Sequence, residues 1–240
     1  MTTNGGELYG RIDAPFNVMV KGMIGTGSGG GKMNDEDWGI PFAIFVPYSN
    51  TLSDVDNKIN YATLDVGFDF WRGPLHRVAW FIGYGFLHQK MNGFGCTQIA
   101  NPNSDCVPSI PNSVLAITET DQWRAMRLGM VADLALAPRL KFTGEAAYLP
   151  FVSFKGSDDH VLRNLYSPEL GDGLGVQLEG ILSYGLTDWL NIGVGARYWS
   201  MWTNTGTVDF GNSNTVVPMR YAAEQAALFV QGSYTFSTEF

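Results

Sequence analysis

Leu140-Lys-Phe-Thr-Gly-Glu-Ala-Ala-Tyr148 decides how the chain reads. On an extended backbone, Leu140, Phe142, Gly144, Ala146 and Tyr148 share one side, and Lys141, Thr143, Glu145 and Ala147 share the other. Successive strand side chains point to opposite faces, so this stretch is a strand with one apolar and one charged face. The same period recurs along the chain. Ala62, Leu64, Val66, Phe68 and Phe70 oppose Thr63, Asp65, Gly67 and Asp69. Met126, Leu128, Met130, Ala132 and Leu134 oppose Arg127, Gly129 and Asp133. Segments 16–24, 176–186, 192–198 and 221–236 behave likewise, 77–90 is more mixed, and no helical stretch stands out.

The connections alternate as well. Ala14-Pro15, Arg72–His76, Ala137–Arg139 and Thr187–Trp189 are short, whereas 27–59, 92–121, 156–173 and 204–219 are long and polar. Strands of about ten residues with one apolar face, short turns at one end and long loops at the other are the signature of an outer-membrane barrel. Aromatics near strand ends and a final Phe240 fit it too. A bilayer leaves no backbone polar group unpaired, so such strands are expected to close into a barrel. A soluble β-sandwich would also alternate, but the second face here carries Lys21, Asp65, Asp69, Arg127, Asp133, Lys141, Glu145, Glu179, Arg197 and Glu224. Charges of both signs at similar depth suit a narrow lumen crossed by ion pairs. The expected fold is therefore all-β, an antiparallel up-and-down transmembrane barrel forming a single domain over residues 1–240.

Composition agrees. Of 240 residues 45% are hydrophobic, 13% aromatic and only 16% charged, with 29 glycines; about a quarter charged is usual for a soluble domain. No apolar run is long enough for a transmembrane helix. A net charge of −8 argues against a nucleic-acid partner. Cys96 and Cys106, in a Gly/Asn/Pro-rich segment, suit a loop disulfide in an oxidising compartment; two unpaired thiols are the alternative. About eight complete strands follow Phe16, and Leu8–Asp13 resembles the tail of an earlier one. Met1–Gly6 does not read as a signal peptide. Because such barrels have an even strand number, the chain is expected to be a fragment lacking its leader and about one and a half strands.

Two polar motifs stand out at the long-loop end. Asp35 and Asp37 lie two residues apart after the strand at 16–26, and Asp158 and His160 lie two apart after the strand from 140. With the short turns periplasmic, both pairs would sit at the outer rim, four strands apart, on facing walls of the mouth. A histidine oriented by a carboxylate is a general base near neutral pH, and an opposing carboxylate pair can hold a water and then serve the leaving group. Either motif alone is ordinarily a solvated surface. No phosphate loop, zinc spacing or Gly-x-Ser-x-Gly elbow accompanies them. His76, in a short turn, and His88, on a strand, are poor candidates for the base. Trp38, Trp199 and Trp202 read as rim or interface aromatics.

Asn34-Asp-Glu-Asp-Trp38 and Ser157-Asp-Asp-His160 resemble the two catalytic motifs of the omptins, outer-membrane endopeptidases of Gram-negative bacteria. Gly29–Gly31, Asn60-Tyr61-Ala62 and Gly232–Phe236 support the likeness, which runs from about Gly10 to Phe236. The resemblance implies a ten-stranded barrel in the bacterial outer membrane, of which this chain holds about eight strands plus a remnant. It implies peptide-bond hydrolysis at an exterior-facing mouth, with Asp158, His160 and Asp35 activating water and Asp37 supporting the opposite wall. It further implies peptide or protein substrates cut near basic residues, a monomer, no metal or organic cofactor, and a requirement for lipopolysaccharide. There are departures. Asp159 stands where the family usually has Glu. Gly156 stands where an acid helps recognise a basic side chain, and the family's other specificity acid lies in a first hairpin without counterpart here. Arg124 and Arg127 are the candidates for lipopolysaccharide contact. The rival reading is a catalytically inactive barrel serving as adhesin, structural protein or small pore.

Overall fold

The computed structural model describes residues 1–37, 47, 49–100, 105–211 and 215–236. Trp38 and Phe240 lie outside the described residues. The chain forms one antiparallel sheet: β1 (Thr2–Asp13), β2 (Val18–Asp37), β3 (Ser49–Arg72), β4 (His76–Gln98), β5 (Ile110–Ala137), β6 (Leu140–His160), β7 (Leu165–Gly185), β8 (Leu190–Phe210), β9 (Thr215–Pro218) and β10 (Ala222–Tyr234). The strands neighbour one another in the order β1 to β8 and then β10, with β9 paired to β8. The up-and-down meander expected from the sequence is thus present. Two single 3-10 turns, Pro15–Asn17 and Val161–Arg163, are the helical elements among the described residues.

Three expectations need correction. First, β2 to β8 run 20 to 28 residues rather than about ten. Most of the stretches read as long loops are strand: Gly27–Gly30 ladder with β1 and β3, and 156–159 with β5 and β7. Glycine and short polar residues weaken strand propensity but do not forbid pairing when both neighbours supply a ladder. Second, β1 is a full 12-residue strand and not a tail from Leu8. Third, no ladder joins β1 to β10 among the described residues, so the sheet is curled but open. β1 and β10, at 12 and 13 residues, are the shortest main strands and leave a gap, which the Arg197–Glu7 ion pair (2.5 Å) spans from β8 to β1.

The period-two faces sort as water and lipid demand. Outward, Leu64, Val66, Phe68, Trp80, Ile82, Tyr84, Leu128, Met130, Leu178 and Leu182 are all exposed. On β5 this band spans about ten residues, the length a tilted strand needs to cross hydrocarbon. At about 3.3 Å per residue, the rest of each strand rises beyond the bilayer at the long-loop end.

Inside, layers stack from the short-turn end upward. Asp133 accepts from Arg11 (2.9 Å), and Arg77 lies 2.7 Å from Asp69. Met19, Ala79, Phe81, Val131 and Ala147 pack above them. Next comes a buried quartet: Lys21 meets Asp65 (2.8 Å) and Glu145 (2.5 Å), and Arg127 meets Asp65 (3.2 Å) and Glu145 (2.6 Å). Two cations and two carboxylates balance, which is how charges survive burial. Leu87, Trp123, Leu149, Val152, Phe154 and Met201 form the layer above. The lumen is filled, as an eight-to-ten-strand barrel allows, which argues against a pore.

Arg127 is 2% exposed inside this lumen, so it does not meet lipopolysaccharide as the sequence suggested; Arg124, on the outer face, is exposed. Trp199 is likewise not a rim residue. It is buried against Tyr61, with ring centroids 5.5 Å apart. Cys96 and Cys106 form the disulfide.

Candidate active site at the long-loop end

Above the Trp123–Phe154 layer the lumen opens into a mouth lined by strand ends. Asp35 and Asp37 occupy alternate positions at the end of β2 and face inward, while Asn34 and Glu36 are exposed. Across the ladder their partners on β3 are Thr51 and Ser49, both buried.

A β-bulge delivers the second pair. On β6 the inward residues are odd-numbered through Ala147 and Leu149, then even-numbered from Val152 and Phe154 upward. Leu149 and Val152 are three positions apart, while their β7 partners Gly175 and Gly173 are two apart. The β5 ladder shows the same step, with Tyr148 and Phe151 opposite Leu128 and Met126. Pro150 sits in the step and has no N–H to give a ladder, the usual place for proline in a sheet. Under unbroken alternation Asp158 and His160 would continue the face of Phe142 and Tyr148 and point outward; the bulge turns them in.

His160 Nε2 lies 3.0 Å from Asp158 Oδ2. Arg163 Nη2 donates to His160 Nδ1 (2.9 Å), a contact that needs the neutral ring with its hydrogen on Nε2 toward Asp158. Arg163 also lies 3.6 Å from Asp105, next to the disulfide. The Asp158 hydrogen bond holds the His160 pKa above its ordinary value; burial and Arg163 work the other way. Burial raises the Asp35 carboxyl, the neighbouring charge of Asp37 adds to this, and His160 lowers it. Asp35 and His160 therefore share one electrostatic field across the mouth, although they stand on β2 and β6. All four residues singled out in the sequence converge on this end of the lumen.

The sequence reading missed the wall around Asp158. Two cross-strand rows run over β5, β6 and β7: Glu119–Asp158–Ser167, and Asp121–Gly156–Glu169 below it. Burial raises all three extra acids, and their mutual like charges raise them further; Glu169 is pushed up to about 7. A signal for two of them existed. Glu119 and Asp121 have the same two-residue spacing as Asp35 and Asp37, but they fell in a segment read as loop. Nothing local marks Glu169.

Fold and site together define a class: an antiparallel outer-membrane barrel whose strands rise above the bilayer to an acid-lined mouth holding an Asp–His couple. The Omptin family profile matches residues 6–238. The chain belongs to the omptin family, and with it to the outer-membrane barrels of the protease class. The crystal structure of the outer membrane protease OmpT from Escherichia coli superposes with a TM-score of 0.74 at 16% identity, covering 92% of this chain and 79% of that one. That likeness shows the fold. No curated protein sequence matches the chain.

Proposed function

We propose that the protein is an outer-membrane endopeptidase of the cell exterior that hydrolyses peptide bonds, near basic residues, with a water activated between the Asp35–Asp37 and Asp158–His160 couples. The observation that carries this reading is the Asp158–His160 hydrogen bond at the mouth, within electrostatic reach of a carboxyl whose pKa is raised.

Roles follow from the chemistry. His160, oriented by Asp158, takes a proton from water as the oxygen attacks the scissile carbonyl. Its Nδ1 is held by Arg163 in the free protein, and Arg163 is half-exposed, so its release frees the lone pair that accepts the proton. Asp35 holds the water from the opposite side. Its raised pKa lets it carry a proton and pass one to the leaving amine as the C–N bond breaks. Burial, with the neighbouring charge of Asp37, keeps that pKa raised. Lipopolysaccharide acts as a folding and activity partner, and the protein works as a monomer.

The test is cleavage of fluorogenic peptides by barrel folded with lipopolysaccharide. His160→Ala and Asp35→Asn should each lower kcat/KM by roughly 10²–10⁴, the usual worth of general acid–base catalysis. If both variants cleave like the parent, the assigned mechanism is wrong.

A further inference from the structure

The two candidate couples stand on walls that share no ladder: Asp35 and Asp37 end β2, whereas Asp158 and His160 end β6. A chain of contacts nevertheless runs from one wall to the other, and it passes through the loop closed by the Cys96–Cys106 disulfide. It starts at Ser49, the buried ladder partner of Asp37. Gln98 Nε2 donates to Ser49 Oγ (3.0 Å) and to the backbone carbonyl of Asp105 (3.2 Å). Gln98 Oε1 accepts from the backbone N–H groups of Asn50 (2.8 Å) and Ala100 (3.1 Å). The Ile99 N–H in turn donates to the Asn50 carbonyl (2.8 Å). Both ends of one amide side chain are thus engaged, which fixes Gln98 and the backbone around it to the end of β3.

Asp105 carries the chain to the other wall. Its backbone is held by Gln98 on one side and by the disulfide through Cys106 on the other, and its carboxylate lies 3.6 Å from Arg163. The same guanidinium donates to His160 Nδ1 (2.9 Å), while His160 Nε2 faces Asp158 at 3.0 Å. Arg163 and Asp105 are both about half exposed, and an ion pair in water is weak by itself. What keeps Arg163 on the ring is therefore the placing of its two partners rather than the strength of either contact. Without that placing, a long arginine side chain gains rotamer freedom by leaving. Arg163 matters to the base. The charged groups acting on the ring are Asp158 from β6, Asp35 from β2 and Arg163 from the 3-10 turn. The two carboxylates favour the charged ring, and the guanidinium opposes it.

Resting on the proteolytic reading above, we propose that the disulfide-closed loop, through Gln98 and Asp105, is a brace across the mouth that holds Arg163 on the His160 ring. Gln98, Asp105 and Arg163 are positioning residues, acting on the reaction through His160. A dithiol opens the brace: it gives two electrons and two protons, becomes a disulfide itself, and leaves Cys96 and Cys106 as thiols. Asp105 is then no longer fixed, Arg163 leaves the ring, and His160 becomes a base only at higher pH. The site is thereby sensitive to the redox state of its surroundings.

The experiment reads the ring itself, so it stands apart from turnover. The full chain, carrying isotope-labelled histidine, is folded with lipopolysaccharide in its oxidised form. Its three histidines are titrated by NMR, and His160→Ala assigns the His160 signal. Dithiothreitol is then added to the folded barrel, with heat-modifiable gel migration as the check on folding. Reduction should move the His160 midpoint to higher pH. Gln98→Ala should do the same with charge and disulfide unchanged, so a barrel that unfolds on reduction is still tested. Arg163→Gln should also raise the midpoint, and reducing that variant should add no further rise, because the brace acts through Arg163. The pH limb of peptide cleavage should move in the same sense. A midpoint that stays or falls both on reduction and in Gln98→Ala overturns the proposal, and so does a rise of equal size in the Arg163→Gln background. The expected rises in a barrel that cleaves no peptide would sink the proteolytic reading and keep the brace.

Discussion

Deleting Pro150 and Phe151 together should silence the enzyme, whereas deleting Pro150 alone should not. Between Leu149 and Val152, β6 carries one residue more than either neighbouring strand. Removing Pro150 turns this step into two residues against two: Phe151 stays outward, and Val152, Asp158 and His160 keep their partners and their inward face. Removing both residues makes Val152 follow Leu149 directly, and alternation then turns every side chain beyond it to the other face. Asp158 and His160 would leave the mouth, and Val152 and Phe154, each 2% exposed, would leave the lumen layer. Exposing a buried Val and Phe costs about 1.5–3 kcal/mol each, so about 3–6 kcal/mol together. Losing the oriented base, in addition, lowers the rate by roughly 10²–10⁴. The assay pairs heat-modifiable gel migration, which reports the folded barrel, with cleavage of a fluorogenic peptide. The Pro150 deletion is the control and should fold and keep activity within a few-fold. A double deletion that folds and cleaves like the parent, or a Pro150 deletion that folds and is inactive, would refute the argument that the residue count at the bulge aims the site.

Other consequences are equally direct. Asp65→Ala leaves Lys21 and Arg127 facing Glu145 alone, and removing one partner from a buried charge network should cost about 3–5 kcal/mol in urea unfolding; adding Lys21→Met should recover most of it, and a loss below about 1 kcal/mol would show the quartet to be dispensable. Because Asp158 holds the His160 pKa above its ordinary value, cleavage should rise with pH as the ring deprotonates through that raised value. Asp158→Asn should move this limb to lower pH and reduce the plateau, and an unmoved limb would assign it to another group. Replacing Cys96 and Cys106 by serine opens a loop closed over a sequence separation of 10 and should destabilise the barrel by about 2–3 kcal/mol, read as a lower urea midpoint.

The strand period was legible from the sequence because side-chain alternation is a local consequence of extended backbone. Each apolar face in 62–70, 126–134 and 176–186 is the exposed outer face of the barrel, and each charged face is its lumen. The two candidate couples were legible for the same reason: residues two apart share a face, so Asp35 lines up with Asp37 and Asp158 with His160. Strand length was not legible. Gly27–Gly30 has poor strand propensity by itself and is strand because β1 and β3 flank it.

Which way a pair faces is not a local property. Carried on from Leu140–Tyr148, strict alternation would put Asp158 and His160 on the lipid side; the bulge at Pro150 reverses it, and a mid-strand proline was the one hint. Nor can sequence say which charges meet. Lys21, Asp65, Arg127 and Glu145 come from four strands, and only the closing curvature brings them within ion-pair distance. The same curvature leaves Glu119, Asp121 and Glu169 beyond reach of any lysine or arginine among the described residues. Alternation along one strand fixed the faces. The stagger between strands, which depends on every ladder at once, decided what each face meets.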